Sequence, residues 1–181
     1  AIELFNRGRR LLARLETLRA KAGTPVTGTA AFAATVAGTV MPRDRYTRLL
    51  ADWIETVEGH PDEHGPGDRK RLMVLGSISD DIDLVQMIEA DERVVVAAEN
   101  LCFGVRHAGD EIAPHGDPIE ALARGYLDRS ICPRMFGRYR QRLEAVLAII
   151  ARARIDAVVL QNIRFCDLHG SENSLFERDL E

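Results

Sequence analysis

The chain has 181 residues, with 46% hydrophobic and 29% charged content, enough for one substantial globular domain with a helical extension. A formal net charge of −4 leaves no electrostatic footprint for nucleic acid or an anionic membrane, and no stretch approaches the roughly 20 apolar residues of a membrane span. Cys102, Cys132 and Cys166 are odd in number and far apart, which excludes a disulfide framework, predicts a reducing, cytoplasmic setting and, with no CxxC pair, leaves no zinc ribbon.

The first sixty residues read as helices. Leu4, Leu11, Leu12, Leu15 and Leu18 make one apolar stripe that ends near Gly23-Thr24-Pro25. Thr29 to Val40 is a small-residue helix that stops before Pro42. Tyr46, Leu49, Leu50, Trp53, Ile54 and Val57 then follow the i, i+3, i+4, i+7 pattern. The Pro/Gly-rich run from Gly59 to Gly67 is the strongest break in the chain. It divides a helical segment, 1–60, from a domain over 61–181.

Beyond the break, strands and helices alternate. Arg71 to Gly76 is a short apolar strand, and an amphipathic segment follows from Asp80 to Ala90. Ser79 or Asp80 is the expected cap. Val94 to Ala98 is a second strand. Asp117-Pro118-Ile119-Glu120 starts a helix, with an acid at the cap and Pro at the first helical position. Leu143, Val146, Leu147 and Ile150 mark a longer helix, and residues 155–162 a third strand. Ser174 and Glu177 form a capping box that predicts a last helix from there. Such alternation implies an α/β fold: a three-layer domain with a short parallel sheet and right-handed crossovers, preceded by the helical segment. Three strands are few, so the series reads as cut before a further strand.

In open parallel sheets ligands are held beyond the carboxyl ends of the strands, which selects the candidate residues. Cys166 follows the third strand, as a metal ligand, a nucleophile or a small core residue. Arg164, on the same side of an extended strand, and nearby His169 are possible activators of its thiol. Cys102 and Arg106 follow the second strand. Arg106 suits an anionic substrate group such as a carboxylate or thioester enolate, or else pairs with Glu99 or Asp110. His107, His115 and His169 lie near the same rim as acid–base candidates or ordinary loop residues, whereas His60 and His64 sit in the break. Gly76-Ser77-Ile78-Ser79-Asp80 lacks both the GxGxxG spacing and a P-loop lysine, so it reads as a tight turn rather than a dinucleotide site. Cys132-Pro133 is a structural loop.

The ordered series Arg71 to Gly76, Glu99-Asn100-Leu101-Cys102-Phe103-Gly104-Val105-Arg106, Asp117 to Ala123, Tyr126-Leu127, Cys132-Pro133 and Phe165-Cys166-Asp167 resembles the 2-hydroxyacyl-CoA dehydratase D-component family, which also contains subunits of ATP-dependent benzoyl-CoA reductase. Ala1 to Asn6 and Met41-Pro42 resemble the helical middle of those subunits. The resemblance implies Rossmann-like halves in a heterodimer with a homologous second subunit, a [4Fe-4S] cluster, and an ATP-hydrolysing iron–sulfur activator that delivers single electrons. It also implies an acyl-CoA substrate whose thioester becomes a ketyl radical. It assigns Cys166 as one cluster ligand and Asp167 as a loop-orienting group. The remaining ligands would lie in an amino-terminal half absent from this chain, leaving the fragment inactive and metal-free by itself. Cys102, Arg106 and His169 are the expected substrate-side residues. Phe103 replaces an expected threonine, and Leu168-His169-Gly170 replaces a proline and an aromatic, both close to the site.

Overall fold

A computed structural model describes residues 1–59, 69–102, 109–128, 132–135 and 137–181. Three helices come first: α1 (Ile2–Arg19), α2 (Gly28–Val40) and α3 (Arg43–Gly59). Then follow β1 (Lys70–Gly76), α4 (Ile82–Ile88), β2 (Val94–Asn100), α5 (Pro118–Ala123, continued by one π-helical turn, Arg124–Asp128), α6 (Tyr139–Ala153), β3 (Ala157–Gln161) and α7 (Asp167–Leu180). The sheet is entirely parallel, in the order β2-β1-β3.

With β1 central, its two neighbours are reached by crossovers in opposite directions, so α4 and α6 fall on opposite faces. On one face Val74 and Val96 pack with Phe32 of α2 and Val85 of α4. On the other, Met73, Leu75 and Ala98 pack with Val146, Ile149 and Ala153 of α6 and Phe176 of α7. Met73, Val74 and Leu75 are each at most 2% exposed, as a strand covered on both faces must be. A bulge between Leu72 and Met73 in the β1–β2 register (Leu72 opposite Val96, Met73 opposite Ala98) explains how Val96 and Ala98, two apart, reach opposite faces. The break at 60–68 lies outside the described residues, and the helical segment is not merely a lead-in: α2 completes one layer of the sheet domain.

α1 and α3 form a second core with Leu15, Leu18, Leu50 and Ile54, joined by Ala31 of α2. Leu4 and Leu49, expected on the apolar stripes, are instead exposed, and Asn6, Arg9 and Arg19 of α1 are buried. Asn6 explains its burial by bonding both backbone groups of Ile112: its Nδ2 donates to the carbonyl at 2.7 Å and its Oδ1 accepts from the amide at 3.0 Å. Arg71 gathers the open carbonyl ends of two helices, donating to Arg19 and Lys21 after α1 and to Ala153 of α6.

The outer edge of β2 is closed by two charged side chains. Val96 N–H donates to Glu89 Oε1 at 3.0 Å, and Arg19 donates to the Val96 carbonyl at 3.0 Å. Glu89 also accepts from the Gly28 and Thr29 amides, tying the start of α2 to the strand. A Cβ at Gly28 would stand 2.5 Å from Val96, so only glycine allows that approach. Arg19 is 1% exposed and pairs with Glu99 at 2.6 Å and Glu16 at 2.8 Å.

Two carboxylates therefore share one buried guanidinium. Burial works to lower the Arg19 pKa, but Glu99 and Glu16 outweigh it and the net shift is upward. Glu16 is raised above the ordinary carboxyl value by burial and by Glu99, against the pull of Arg19. An acid with a raised folded pKa contributes stability that is complete below its unfolded pKa and lost as pH rises through the folded one. The Glu16 contribution to unfolding free energy should accordingly decline as pH rises through and above the ordinary carboxyl range, and Glu16→Gln, neutral at every pH, should remove that decline in denaturant titrations across pH. Arg19→Met, which strands the carboxylates, should cost about 3–5 kcal/mol in the same assay.

Candidate functional site at the carboxyl rim of the sheet

The β2-β1-β3 order makes the carboxyl ends of β1 and β3 a switch point, where the chain leaves β1 toward one face and β3 toward the other. In an open parallel sheet this is the expected crevice for a ligand. Ser77, fully buried, holds it together. Its amide donates to the Gln161 carbonyl at 3.1 Å, and its Oγ donates to Gln161 Oε1 at 3.3 Å and accepts from the Ile163 amide at 2.7 Å. Its carbonyl accepts from Cys102 N–H at 3.5 Å, so one serine links all three strand ends. Gly76 makes the junction possible, because a Cβ there would lie 1.7 Å from the Gln161 carbonyl oxygen.

The expectations for β2 and β3 change in detail. β2 runs to Asn100, so Glu99 is inside the sheet with Arg19 rather than on the rim, and Cys102 lies just past the strand. β3 ends at Gln161, and α7 starts at Asp167, not at a capping box on Ser174. Gly170 disguised this helix in the sequence. It sits in the first turn, where a Cβ would come to 3.2 Å of Asn162 Nδ2. Cys166 is therefore at the cap position of α7, half-buried, and the extended-strand relation to Arg164 does not exist. The cap of α4 is likewise Asp81, which accepts from the Leu84 amide at 3.2 Å, rather than Ser79 or Asp80.

Around Cys166 the backbone turns sharply. Its amide donates to the Ile163 carbonyl at 3.0 Å and its carbonyl accepts from Gly170 N–H at 2.9 Å. Phe165 has φ of 68°, a left-handed conformation unusual for an aromatic residue, and is 91% exposed. Ile163 and Leu168 are also exposed, so the residues that flank Cys166 along the chain present apolar surface.

Cys102 and His169, singled out separately in the sequence, are brought together, with Sγ 3.7 Å from Nε2. His169 is buried on α7 beside Asn100, Pro133, Arg142 and Glu172. Arg142 grips Glu172 with two N–H groups, and its third nitrogen donates to the carbonyls of Cys132 and Met135 at 3.3 and 3.2 Å. The Cys132-Pro133 loop is thus clamped over the His169 side of the rim. Sequence reasoning found neither this clamp nor the role of Ser77. Only the spacing of Arg142 on α6 hinted at anything, since it falls on the buried face among apolar residues.

His115 is in an exposed loop away from these contacts. Arg106, His107, Phe103, His60 and His64 lie outside the described residues. Among the described residues no three His, Cys, Asp or Glu side chains gather as a metal site, and no helix is long and apolar enough to cross a membrane.

The sheet is that of an α/β protein, with Cys102, Cys166 and His169 beyond the carboxyl ends of its strands. The chain belongs to the 2-hydroxyglutaryl-CoA dehydratase, D-component family, whose model matches residues 1–181. It is 21% identical over 184 residues to the (R)-phenyllactyl-CoA dehydratase beta subunit of Clostridium sporogenes, a match covering 100% of this chain and 47% of that protein. The chain thus spans about half the length of that relative.

If Ser77 is the joint of the rim, Ser77→Ala should cost about 0.5–1.5 kcal/mol, since it removes the acceptor of the Ile163 amide and the hydroxyl that donates to Gln161. Hydrogen exchange at Ile163 should accelerate more than at amides of β2. Gly76→Ala should be the more damaging change, because backbone rather than a movable side chain blocks the new Cβ.

Proposed function

We propose that this chain is the carboxy-terminal, Rossmann-like part of a 2-hydroxyacyl-CoA dehydratase subunit, and that its rim holds one edge of a [4Fe-4S] cluster and of an acyl-CoA thioester. The observation that carries the reading is Cys166. In a chain that belongs to a dehydratase family, its thiol stands beyond a switch-point strand at the amino end of a helix, and its Sγ makes no hydrogen bond among the described residues. A half-buried thiol at that position suits a thiolate ligand. The donor set of this chain fits the cluster as one ligand; the others would come from the rest of the subunit.

When bound, such a cluster would supply single electrons at low potential. The chain's own residues would do the positioning. Ser77 and Gly76 fix the strand ends, so that the Cys166 turn has one geometry. The Arg142–Glu172 clamp fixes the Cys132-Pro133 loop against His169. Cys102, only partly buried, is the proposed proton-exchanging group toward the thioester or its leaving hydroxyl, with the buried His169 behind it as its imidazole partner. Arg106 is the proposed partner for the developing negative charge on the thioester oxygen.

The exposed Ile163, Phe165 and Leu168 support a covered rim, because apolar surface flanking Cys166 along the chain is costly to leave in water. The remaining half of the subunit and a homologous second subunit are the proposed covers, and an ATP-hydrolysing iron–sulfur activator is the proposed electron donor. The relative is described as a beta subunit, which supports a partner subunit.

The full-length protein, purified without oxygen together with its partner subunit, should contain stoichiometric iron and sulfide with a broad visible absorbance. Cys166→Ser should lose most of that iron while keeping the heterodimer intact by gel filtration. A fully loaded cluster in the variant would sink the ligand assignment. With activator and ATP, 2-hydroxyacyl-CoA thioesters should lose water; turnover of benzoyl-CoA instead would assign the chemistry to ring reduction.

A further inference from the structure

Away from the rim, the helical segment encloses a cleft of about 310 Å³ between α1, the carboxyl half of α2, the start of α3 and the turn after α5. Its chemistry is unlike the rest of the bundle. Two arginines line it, Arg9 and Arg43, with three aromatic rings, Phe5, Tyr46 and Tyr126. Arg9 is only 7% exposed; it donates to Asn6 Oδ1 at 3.0 Å and to the Tyr126 hydroxyl at 2.8 Å. Arg43 is stacked between Phe5 and Tyr46, its guanidinium carbon 4.5 and 5.2 Å from their ring centres, and donates one N–H to the Gly38 carbonyl at 3.0 Å. Among the described residues, neither arginine has a carboxylate partner.

That arrangement is incomplete by the standards of the rest of the molecule. Arg19 and Arg142, which with Arg9 are the buried arginines among the described residues, each grip carboxylates, whereas Arg9 does not and Arg43 is half-buried. A buried positive charge held only by neutral groups is costly unless an anion arrives to compensate it. An independent sign comes from Tyr46. It is 3% exposed, its hydroxyl makes no hydrogen bond among the described residues, and burial pushes its pKa up to about 12, so it stays protonated and able to donate. Gly38 leaves room over this ring, since a Cβ there would come within 2.8 Å of it.

We propose that this cleft binds the phosphorylated nucleotide end of the acyl-CoA substrate, with Arg9 and Arg43 on phosphate oxygens and an aromatic face under the adenine ring. The proposal rests on the acyl-CoA reading of the rim and extends it to the far end of the same ligand. Guanidinium forks match phosphate oxygens, and aromatic faces suit a purine. The volume is at the lower limit of ligand pockets, which fits one end of a CoA molecule and not the whole. Asn6 braces the cleft wall: it accepts from Arg9 and bonds both backbone groups of Ile112.

The test is calorimetric titration of the full-length protein with CoA, 3′,5′-ADP, ATP and inorganic phosphate. CoA and 3′,5′-ADP should bind competitively and more tightly than ATP or phosphate. Arg43→Ala should weaken CoA binding about 10- to 100-fold, the loss of one or two charge-assisted hydrogen bonds. Thr39→Glu, an exposed position on the cleft wall, places a carboxylate beside the arginines without disturbing the stacked rings, and should weaken binding similarly if Arg43→Ala fails to fold. Undiminished CoA binding in a folded variant, or ATP and phosphate binding as tightly as CoA, would overturn the assignment. The two readings fail separately: CoA binding that responds to both variants without dehydration of any 2-hydroxyacyl-CoA removes the rim chemistry, whereas dehydration with CoA affinity indifferent to both variants removes the cleft.

Discussion

Everything in the three-layer arrangement depends on how the outer edge of β2 is closed. A parallel edge strand presents N–H and C=O groups that water or another strand would otherwise claim. At Val96 both are taken by side chains from different elements, the amide by Glu89 and the carbonyl by Arg19. Glu89 at the same time holds the first amides of α2, and Arg19 holds Glu99 inside the sheet and Glu16 on α1. One strand residue thereby fixes the position of two helices. The helical segment and the sheet are joined by buried charges that are costly to separate, in addition to apolar contact.

The consequence reaches the rim. Because Glu99 is committed to Arg19, the strand continues through Asn100 and delivers Cys102 at a defined height beside Ser77. From the other side, α7 begins early enough to bring His169 to the same height. The Cys102–His169 approach therefore depends on where β2 ends and on where α7 begins. Neither partner is near the other in sequence, and 67 positions separate them.

How much of this was legible in the chain follows from the range of each interaction. The helices of the first segment and the strands were readable because they depend on local periodicity. Phe-Cys-Asp and its companions pointed to the dehydratase family because their order survives as a linear pattern, and the family match over the whole chain agrees. The start of α7 was not readable: His169-Gly170 looks like a loop, because a glycine weakens the local helical signal of the turn that holds it. The length of β2 was missed for a related reason. Glu99 and Asn100 look like the polar end of a strand until a buried arginine from α1 is present to receive the charge.

By itself, then, the sequence determined an alternating α/β chain with a helical lead, and its family. Those features rest on spacings of a few residues and on motifs read in order. Tertiary structure alone decided that α2 belongs to the sheet, that Ser77 ties three strands, that Cys102 meets His169, and that Arg9 and Arg43 share a cleft with no carboxylate partner among the described residues. Each of these is a meeting of groups from distant parts of the chain. Whether a polar residue is a surface group, a strut or a binding group depends on which partner the fold brings to it, and nothing in its immediate neighbours records that.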